Sequence, residues 1–409
     1  MEYIHPASIP STKSELSLFS VPPTQVAIDT TYEVEYNPSD SLESSQYHEI
    51  NIPASDDFTD LSATMVHLKF KVVDPNGEVT KKTYKTVANF GHALFEQIDF
   101  ILNNVNTVKS SNMYHYQAFL ENLLFKYPSS LDIAMEGTNG KDEREMYFNL
   151  QIPVCQQDRL LMNGVPIQIF FTRSKKSFPI QTDTNLVTPS DLSVKITKLS
   201  VHMKRVKLFP DAQAGILTTL ERMPAKYFIV RNELKAFSLN PGTKDYSFEN
   251  IHNGIFPRRI VIGLVKSKAF GGEYDHDPFV FKHQRLNHIS LNVDGIMVPS
   301  IPYKPNFDNS TAVREFIGLY KALNQDEGLP HINIKYSEFI INKTLFGFDL
   351  SKDGTLGGES GTLNLLQRGS IRLELRFTET LSEQMKIIVF SQFDNVITID
   401  KDRNVSLDY

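Results

Sequence analysis

Apolar and polar residues alternate along much of this chain, the pattern of β strands half-buried in a sheet. Val66, Leu68, Phe70 and Val72 alternate with His67, Lys69, Lys71 and Val73, and the turn Asp74-Pro75-Asn76-Gly77 closes the strand. One face is expected to be buried and the other mostly solvated. Ile371, Leu373, Leu375 and Phe377 alternate in the same way with Arg372, Glu374, Arg376 and Thr378. Along Val194 to Leu208 the apolar phase moves from even positions (Val194, Ile196) to odd (Leu199, Val201, Met203) and back to even (Val206, Leu208). Such slips predict bulges or bends within one long strand. Only two segments carry a helical period. Tyr116, Leu120, Leu123, Leu124 and Tyr127 share a face, with Ser110 or Ser111 available as N-cap; Val313, Phe316, Ile317, Tyr320 and Leu323 do the same after Ser310-Thr311.

These elements occur twice. Phe95 to Leu124 gives a strand, a tight Asn103-Asn104 turn, a short strand and a helix; Leu286 to Leu323 repeats that order around Asp294-Gly295. Val165 to Thr172 and Ile371 to Thr378 are alternating strands that each end in Phe-Thr. The offset is 191 residues between Ile98 and Ile289 and 206 between Phe171 and Phe377. Two units of this size, each with many short strands and one inserted helix, predict a duplicated sandwich of two four-stranded sheets, for which a jelly roll is the leading form. The pattern leaves the Greek-key order open. An arm at 1–30, a first unit at 31–211, a linker at 212–225 with Pro210 before it and Pro224 within it, and a second unit at 226–409 are the expected divisions.

Composition narrows the class. Of 409 residues, 41% are hydrophobic and 22% charged, as in an ordinary globular chain. No apolar run approaches the roughly 18 to 20 residues of a membrane helix. The start, MEYIHPASIPSTKSE, lacks the basic and apolar regions of a secretory signal, so synthesis in the cytosol is expected. Cys155 is the only cysteine, which excludes an intrachain disulfide or a thiolate zinc cage. The net charge is −6, and nine acidic residues with no Lys or Arg lie between Asp29 and Asp60, which argues against a surface that coats nucleic acid nonspecifically.

Candidate chemistry is sparse. Asp275-His276-Asp277, with His283 and His288 nearby, is the densest set of potential metal ligands, but positions 283 and 288 fall on opposite faces of a continuous strand. A polar loop followed by a strand is the expected reading. The Gly-rich stretch Asp353 to Gly361 lacks the Lys-Ser/Thr ending of a phosphate cradle and reads as a loop. No H-E-x-x-H or G-x-S-x-G motif occurs. The basic residues Lys195, Lys198, Lys204, Arg205 and Lys207 read as a strand edge protected by lysine, with Lys204 and Arg205 as candidates for contacting the acidic Asp29 to Asp60 segment of a neighbouring copy. In the Pro- and Ser-rich first 30 residues, Leu16, Leu18 and Phe19 form an apolar cluster that a purely solvated tail would not need; an arm docking on a neighbour accounts for them.

SELSLFSVPPTQ (Ser14 to Gln25), NGIFPRRIVIGL (Asn253 to Leu264), DPFVFKHQRLNHISLNVDG (Asp277 to Gly295) and PYKPNF (Pro302 to Phe307) resemble the major capsid, or hexon-like, protein of Polinton (Maverick) elements and adintoviruses. The resemblance implies an all-β double jelly roll: two eight-stranded β-sandwiches in one chain, each with an inserted helix. It further implies a homotrimeric, pseudo-hexagonal capsomer that tiles an icosahedral shell in the virion. Its partners would be itself, a minor or penton protein at the vertices and packaged DNA without sequence-specific contact, and no cofactor is involved. Phe256 and Arg258 are candidate interface residues, since the shared segments would encode strand packing and trimer contacts. The alternative is a two-domain jelly-roll protein that binds carbohydrate or hydrolyses glycans. The absence of Trp, a favoured stacking platform for sugars, weighs against it.

Overall fold

The computed structural model describes residues 6–9, 11, 13–42, 46–80, 84–126, 143–182, 191–324, 332, 334–351, 363 and 365–407. Tyr127 and the Gly-rich stretch Asp353 to Gly361 lie outside the described residues.

Among the described residues, sixteen strands build two units. The first contains β1 (Ile28–Tyr36), β2 (Tyr47–Ile52), β3 (Phe58–Val73), β4 (Phe95–Leu102), β5 (Val105–Asn106), β6 (Arg144–Asn149), β7 (Ile167–Arg173) and β8 (Ser193–Leu208). The second contains β9 (Ala225–Leu239), β10 (Asp245–Ile255), β11 (Arg259–Lys266), β12 (Leu286–Val293), β13 (Ile296–Tyr303), β14 (Leu345–Asp349), β15 (Arg368–Phe377) and β16 (Met385–Ile399). In the first unit the sheet β1-β8-β3-β6 packs on β2-β7-β4-β5; in the second, β9-β16-β11-β14 packs on β10-β15-β12-β13. Adding eight to each strand number of the first unit gives the second. That is the jelly-roll order, which alternation alone had left open, and it occurs twice in one chain. A ribbon of Tyr84–Thr86 with Ile180–Thr182, and Val405–Leu407 on the edge of β16, complete the pairing.

The alternation predicted in β3 and β15 holds. Val66, Leu68, Phe70 and Val72 are buried on one face of β3, and Ile371, Leu373, Leu375 and Phe377 on one face of β15. Both predicted slips in β8 are register shifts against β3, between Ile196 and Lys198 and between His202 and Lys204. Leu199 and Val206, the next apolar residues after each shift, are buried. The two hairpin turns carry the positive φ such turns demand: Asn103 +42° and Asn104 +68°, Asp294 +51° and Gly295 +87°. On β3 the polar face departs from expectation, because His67 is buried beneath the Tyr147 ring.

The helices also differ from the sequence reading. The first inserted helix runs Tyr114–Phe125 and the second Val313–Ala322, each preceded by an apolar residue, Met113 and Ala312, where serine caps had been expected. The span 212–225, read as a linker, contains most of a third helix, Pro210–Leu220. Proline at its first position and Asp211 beside it favour a helix start. It lacks an apolar stripe because only Leu220 is buried, so no helical period marks it in the sequence.

The units share a continuous apolar seam. Tyr116, Phe119, Leu120 and Leu124 of the first inserted helix pack with Leu234, Val261, Val265 and Phe390 of the second unit. The Phe119 and Phe279 rings stack at 4.3 Å, and those of Tyr116 and Phe270 at 5.5 Å. Tyr227, Ile229, Ile397 and Ile399 of the second unit reach into the core of the first. An apolar interface of this extent couples the units rather than leaving them to move independently.

Candidate assembly surfaces

The first inserted helix is buried on both faces, because one side lies on its own sheets and the other on the second unit. Its polar positions are consequently buried as well. Glu121 Oε2 accepts from Gln156 Nε2 at 2.6 Å, while Oε1 accepts from Gln117 and from Asn232 of β9. Burial pushes the Glu121 carboxyl up to about 7, against the opposing effect of these donors and the Lys126 charge. Further along β9, Glu233 is bonded by Lys109 of the first unit at 2.8 Å and by Lys235 at 3.2 Å. Burial alone would raise its pKa, but the two ammonium groups outweigh it and hold the carboxyl at about 2. Arg403 Nε donates to the Asn163 carbonyl at 2.7 Å, and Asn103 Nδ2 donates to the Arg403 carbonyl at 2.7 Å, tying the C-terminal segment to the first unit. The seam is thus fixed by oriented polar pairs as well as by apolar contact.

The second inserted helix has the same place in its own unit but a different environment. Leu319, Ala322 and Leu323 are buried, and Phe316 and Tyr320 pack partly against the same cluster. Val313 and Ile317, expected on that face, point outward with 53% and 47% of their surface exposed. Arg314 donates to the carbonyls of Ile301 and Pro302 at 2.6 and 2.8 Å, which fastens the helix to the edge strand β13. The close approach requires Gly318, since a Cβ there would strike the Tyr303 hydroxyl. Ile301 of β13, to whose carbonyl Arg314 donates, is exposed as well, and Ile296 is exposed at the far end of that strand. No comparable apolar exposure remains on the first inserted helix.

The other residues marked in the sequence fall in separate places. Leu16, Leu18 and Phe19 are exposed, Phe19 by 99%, so these three side chains lie outside the packed core of their own chain. Lys204 and Arg205 are satisfied within the chain. Lys204 pairs with Asp60 at 3.1 Å, and Arg205 is buried, donating to Thr59 Oγ1 and to the Tyr36 hydroxyl. The antiparallel order β1-β8-β3 sets the acidic segment beside the basic strand, as Lys198 with Glu35 and Lys207 with Asp29 also show. The acidic partner expected from a neighbour is therefore met by the chain's own β1 and β3.

Phe256 is half-buried and lines two open clefts, of about 180 and 620 Å³. Arg258, a candidate interface residue, is buried and bonded to Asp394 at 3.1 Å, because β11 leads directly into the sheet between β14 and β16. The next residue, Arg259, is wholly buried with its guanidinium 5.1 Å from the centre of the Phe125 ring of the first inserted helix. Sequence reasoning missed it; the signal available was a second arginine opening the otherwise apolar run to Val265. Cys155 is buried in the first core and its thiol is pushed up by that burial, which suppresses the nucleophilic thiolate.

The residues around Asp275-His276-Asp277 do not come together with His283 and His288, in keeping with a polar loop followed by a strand. His276 pairs with Asp275 at 2.6 Å in an exposed loop, His283 stacks on Phe307 at 4.0 Å, and His288 faces Ser290.

Two consecutive jelly rolls of identical order, held by an apolar seam, define the class: a double jelly roll, the fold of major capsid proteins. A capsid protein of the PBCV-1 virus is similar over 96% of this chain and 99% of its own (TM-score 0.63, 11% identity). The Sputnik virophage structure matches over 100% and 94% (TM-score 0.60, 11% identity), and the mavirus major capsid protein over 100% and 97% (TM-score 0.57, 10% identity). In sequence, an uncharacterized protein of Caenorhabditis elegans is 21% identical over 386 residues, covering 86% of this chain and 90% of the relative. No family model matches the chain.

Proposed function

We propose that this chain is a structural protein, a major capsid protein that closes as a homotrimer into a pseudo-hexagonal capsomer. The observation that carries the reading is the unequal burial of the two inserted helices. The first is covered by the second unit of its own chain, whereas the second leaves Val313 and Ile317 exposed beside Ile301. A ring in which the second unit of one copy meets the first unit of the next supplies the missing cover. Two similar units taken three times give six similar edges, and a closed ring is an allowed symmetry for such an oligomer. In this reading the arm at 1–30 docks through Leu16, Leu18 and Phe19 on a neighbouring capsomer, and units at 31–211 and 226–409 form the edges on either side of a junction at 212–225. The shell is icosahedral, holds DNA and has a minor protein at its vertices; the lineage is that of Polinton and adintovirus capsids, on the strength of the segments between Asn253 and Phe307. The chain is made in the host cytoplasm and ends in the virion.

Light scattering behind a sizing column tests the trimer. The expected species has about three times the 46.5 kDa chain mass, with six-sided particles in electron micrographs. A strict monomer at every concentration would overturn the reading.

A further inference from the structure

The outer face of the sheet β1-β8-β3-β6 brings Glu35, His67 and His202 together, with one donor atom of each within 4.8 Å of the others. Strand register produces the cluster. Glu35 on β1 is directly paired with His202 on β8, and His67 on β3 is paired with Ser200, two residues earlier on β8. Neighbouring strands and a same-face spacing of two therefore converge three side chains on one point.

The histidines are held as metal-bound histidines are held. His67 Nε2 is bonded to Glu145 at 2.6 Å, and His202 Nδ1 to Glu33 at 2.5 Å. A carboxylate on one ring nitrogen fixes the tautomer and turns the other nitrogen into a lone-pair donor. Those other nitrogens, His67 Nδ1 and His202 Nε2, are both buried and have no hydrogen-bond partner. His202 Nε2 is 3.7 Å from Glu35 Oε1, too far for a hydrogen bond and suited to a shared ion. His67 is nine-tenths buried or more, with Tyr147 stacked on it at 4.2 Å and set edge-on to His202 at 5.7 Å. A buried ring nitrogen without a partner is costly, and one ion held among these three side chains would satisfy both.

The geometry points to a divalent transition-metal site, of the zinc class, formed by Glu35, His67 and His202. Two imidazoles and a carboxylate are a zinc donor set that leaves a fourth position for water, and nitrogen donors disfavour calcium or magnesium. The surrounding charge is compatible: Glu33, Glu35 and Glu145 outnumber Lys69 and Lys198. Lys198 lies 2.7 Å from Glu35 Oε1 and must yield that oxygen or share the carboxylate when the ion binds. An ion here staples three of the four strands of the sheet. The inference stands apart from capsomer formation, since all its residues belong to one unit of one chain.

The test uses the full chain, stripped with a chelator and titrated with Zn2+ by calorimetry and with Co2+ by visible absorption. One Zn2+ per chain is expected, together with the absorption of tetrahedral Co2+ that Zn2+ abolishes and a melting temperature raised by Zn2+. His202→Gln and Glu35→Gln, both on partly solvated side chains, are expected to lose the Co2+ signal while keeping the wild-type circular dichroism. Glu33→Gln, acting only through His202, is expected to weaken Zn2+ by about 10 to 100-fold. Absence of binding to the folded wild-type chain overturns the site. So does Co2+ absorption that is unchanged in His202→Gln and Glu35→Gln, which would move the ion elsewhere, for instance to Glu273, Asp275 and His276.

Discussion

Asn232 on β9 donates its side-chain amide to Glu121 Oε1 across the seam between the jelly rolls, so the hydrogen bond joins two units whose nearest chain connection is the helix Pro210–Leu220. Gln392 Nε2 in turn donates to Asn232 Oδ1 at 2.9 Å. The amide is thereby oriented from the second unit before it meets the carboxylate of the first. Such a pair specifies how the units sit together, while the rings around it supply the apolar burial.

The same carboxyl predicts a pH dependence. Burial raises Glu121 to about 7 in the folded chain, from an ordinary value of 4.5. Below 4.5 both states hold the proton and there is no differential effect. Between 4.5 and 7 the unfolded chain releases the proton and the folded chain retains it, so stability falls as pH rises. Above 7 the whole penalty is present, on the order of 3 kcal/mol. Glu121→Gln removes the charge but keeps an amide in the network. Its melting temperature relative to wild type is expected to climb between pH 5 and pH 8; a constant difference across that range would refute the burial argument.

Backbone spacing gives a second prediction. Gly263 lies in β11 where a Cβ would meet the Phe281 ring and come within 2.7 Å of Leu345 Cδ2, both fully buried. Gly263→Ala is expected to cost about 1–3 kcal/mol by overpacking, visible as a lower denaturation midpoint at unchanged slope. A neutral result would mean that Phe281 has room to turn away.

Much of this architecture was legible because strands bury every second residue. The phase changes in Val194 to Leu208 located both register shifts, and the paired Asn103-Asn104 and Asp294-Gly295 turns revealed the duplication. What a neighbouring unit covers was not legible. Val313 and Ile317 share a period with Phe316 and Tyr320, yet periodicity reports which residues lie on one stripe and not what faces that stripe. The same limit applies to Gln117 and Glu121, polar residues buried at the seam. Arg205 was not legible as a buried residue because the even phase of Val206 and Leu208 pointed it outward, whereas its regular pairing with β1 keeps it on the side of Val201 and Met203, both buried.

The placement of Lys204 and Arg205 separates two effects. Arg205 bonds Thr59 and Tyr36 beneath the surface, so Arg205→Ala leaves buried acceptors unpaired and is expected to cost about 1.5–3 kcal/mol. Lys204→Ala removes a part-exposed ion pair with Asp60 and is expected to cost less than about 1 kcal/mol. Urea midpoints of the two variants distinguish these effects, and equal losses would refute the assignment.

The arm can be removed through Thr24 without cutting into the sheets, because β1 starts at Ile28 and the Gln25 side chain that accepts from the Ile28 backbone N–H at 2.6 Å is retained. Deleting residues 1–24 is expected to leave the melting temperature and trimer mass unchanged and to suppress shell formation seen by electron microscopy. Loss of folding would place the arm in its own core instead of on a neighbour.

The exposed stripe on the second inserted helix offers the sharpest test of assembly. Val313 and Ile317 are about half exposed in the single chain, so replacing both with Asp disturbs little of the fold, within about 0.5 kcal/mol per site as for ordinary surface positions. Covered by a neighbouring copy, the same carboxylates would be desolvated without partners, at a cost of several kcal/mol per interface repeated three times around the ring. The double variant is therefore expected to run as a folded 46.5 kDa monomer at concentrations where wild type is trimeric. A trimer that persists at wild-type affinity would exclude this helix from the interface and turn attention to Ile296 and Met297 at the far end of β13, which lie beyond the reach of Arg314.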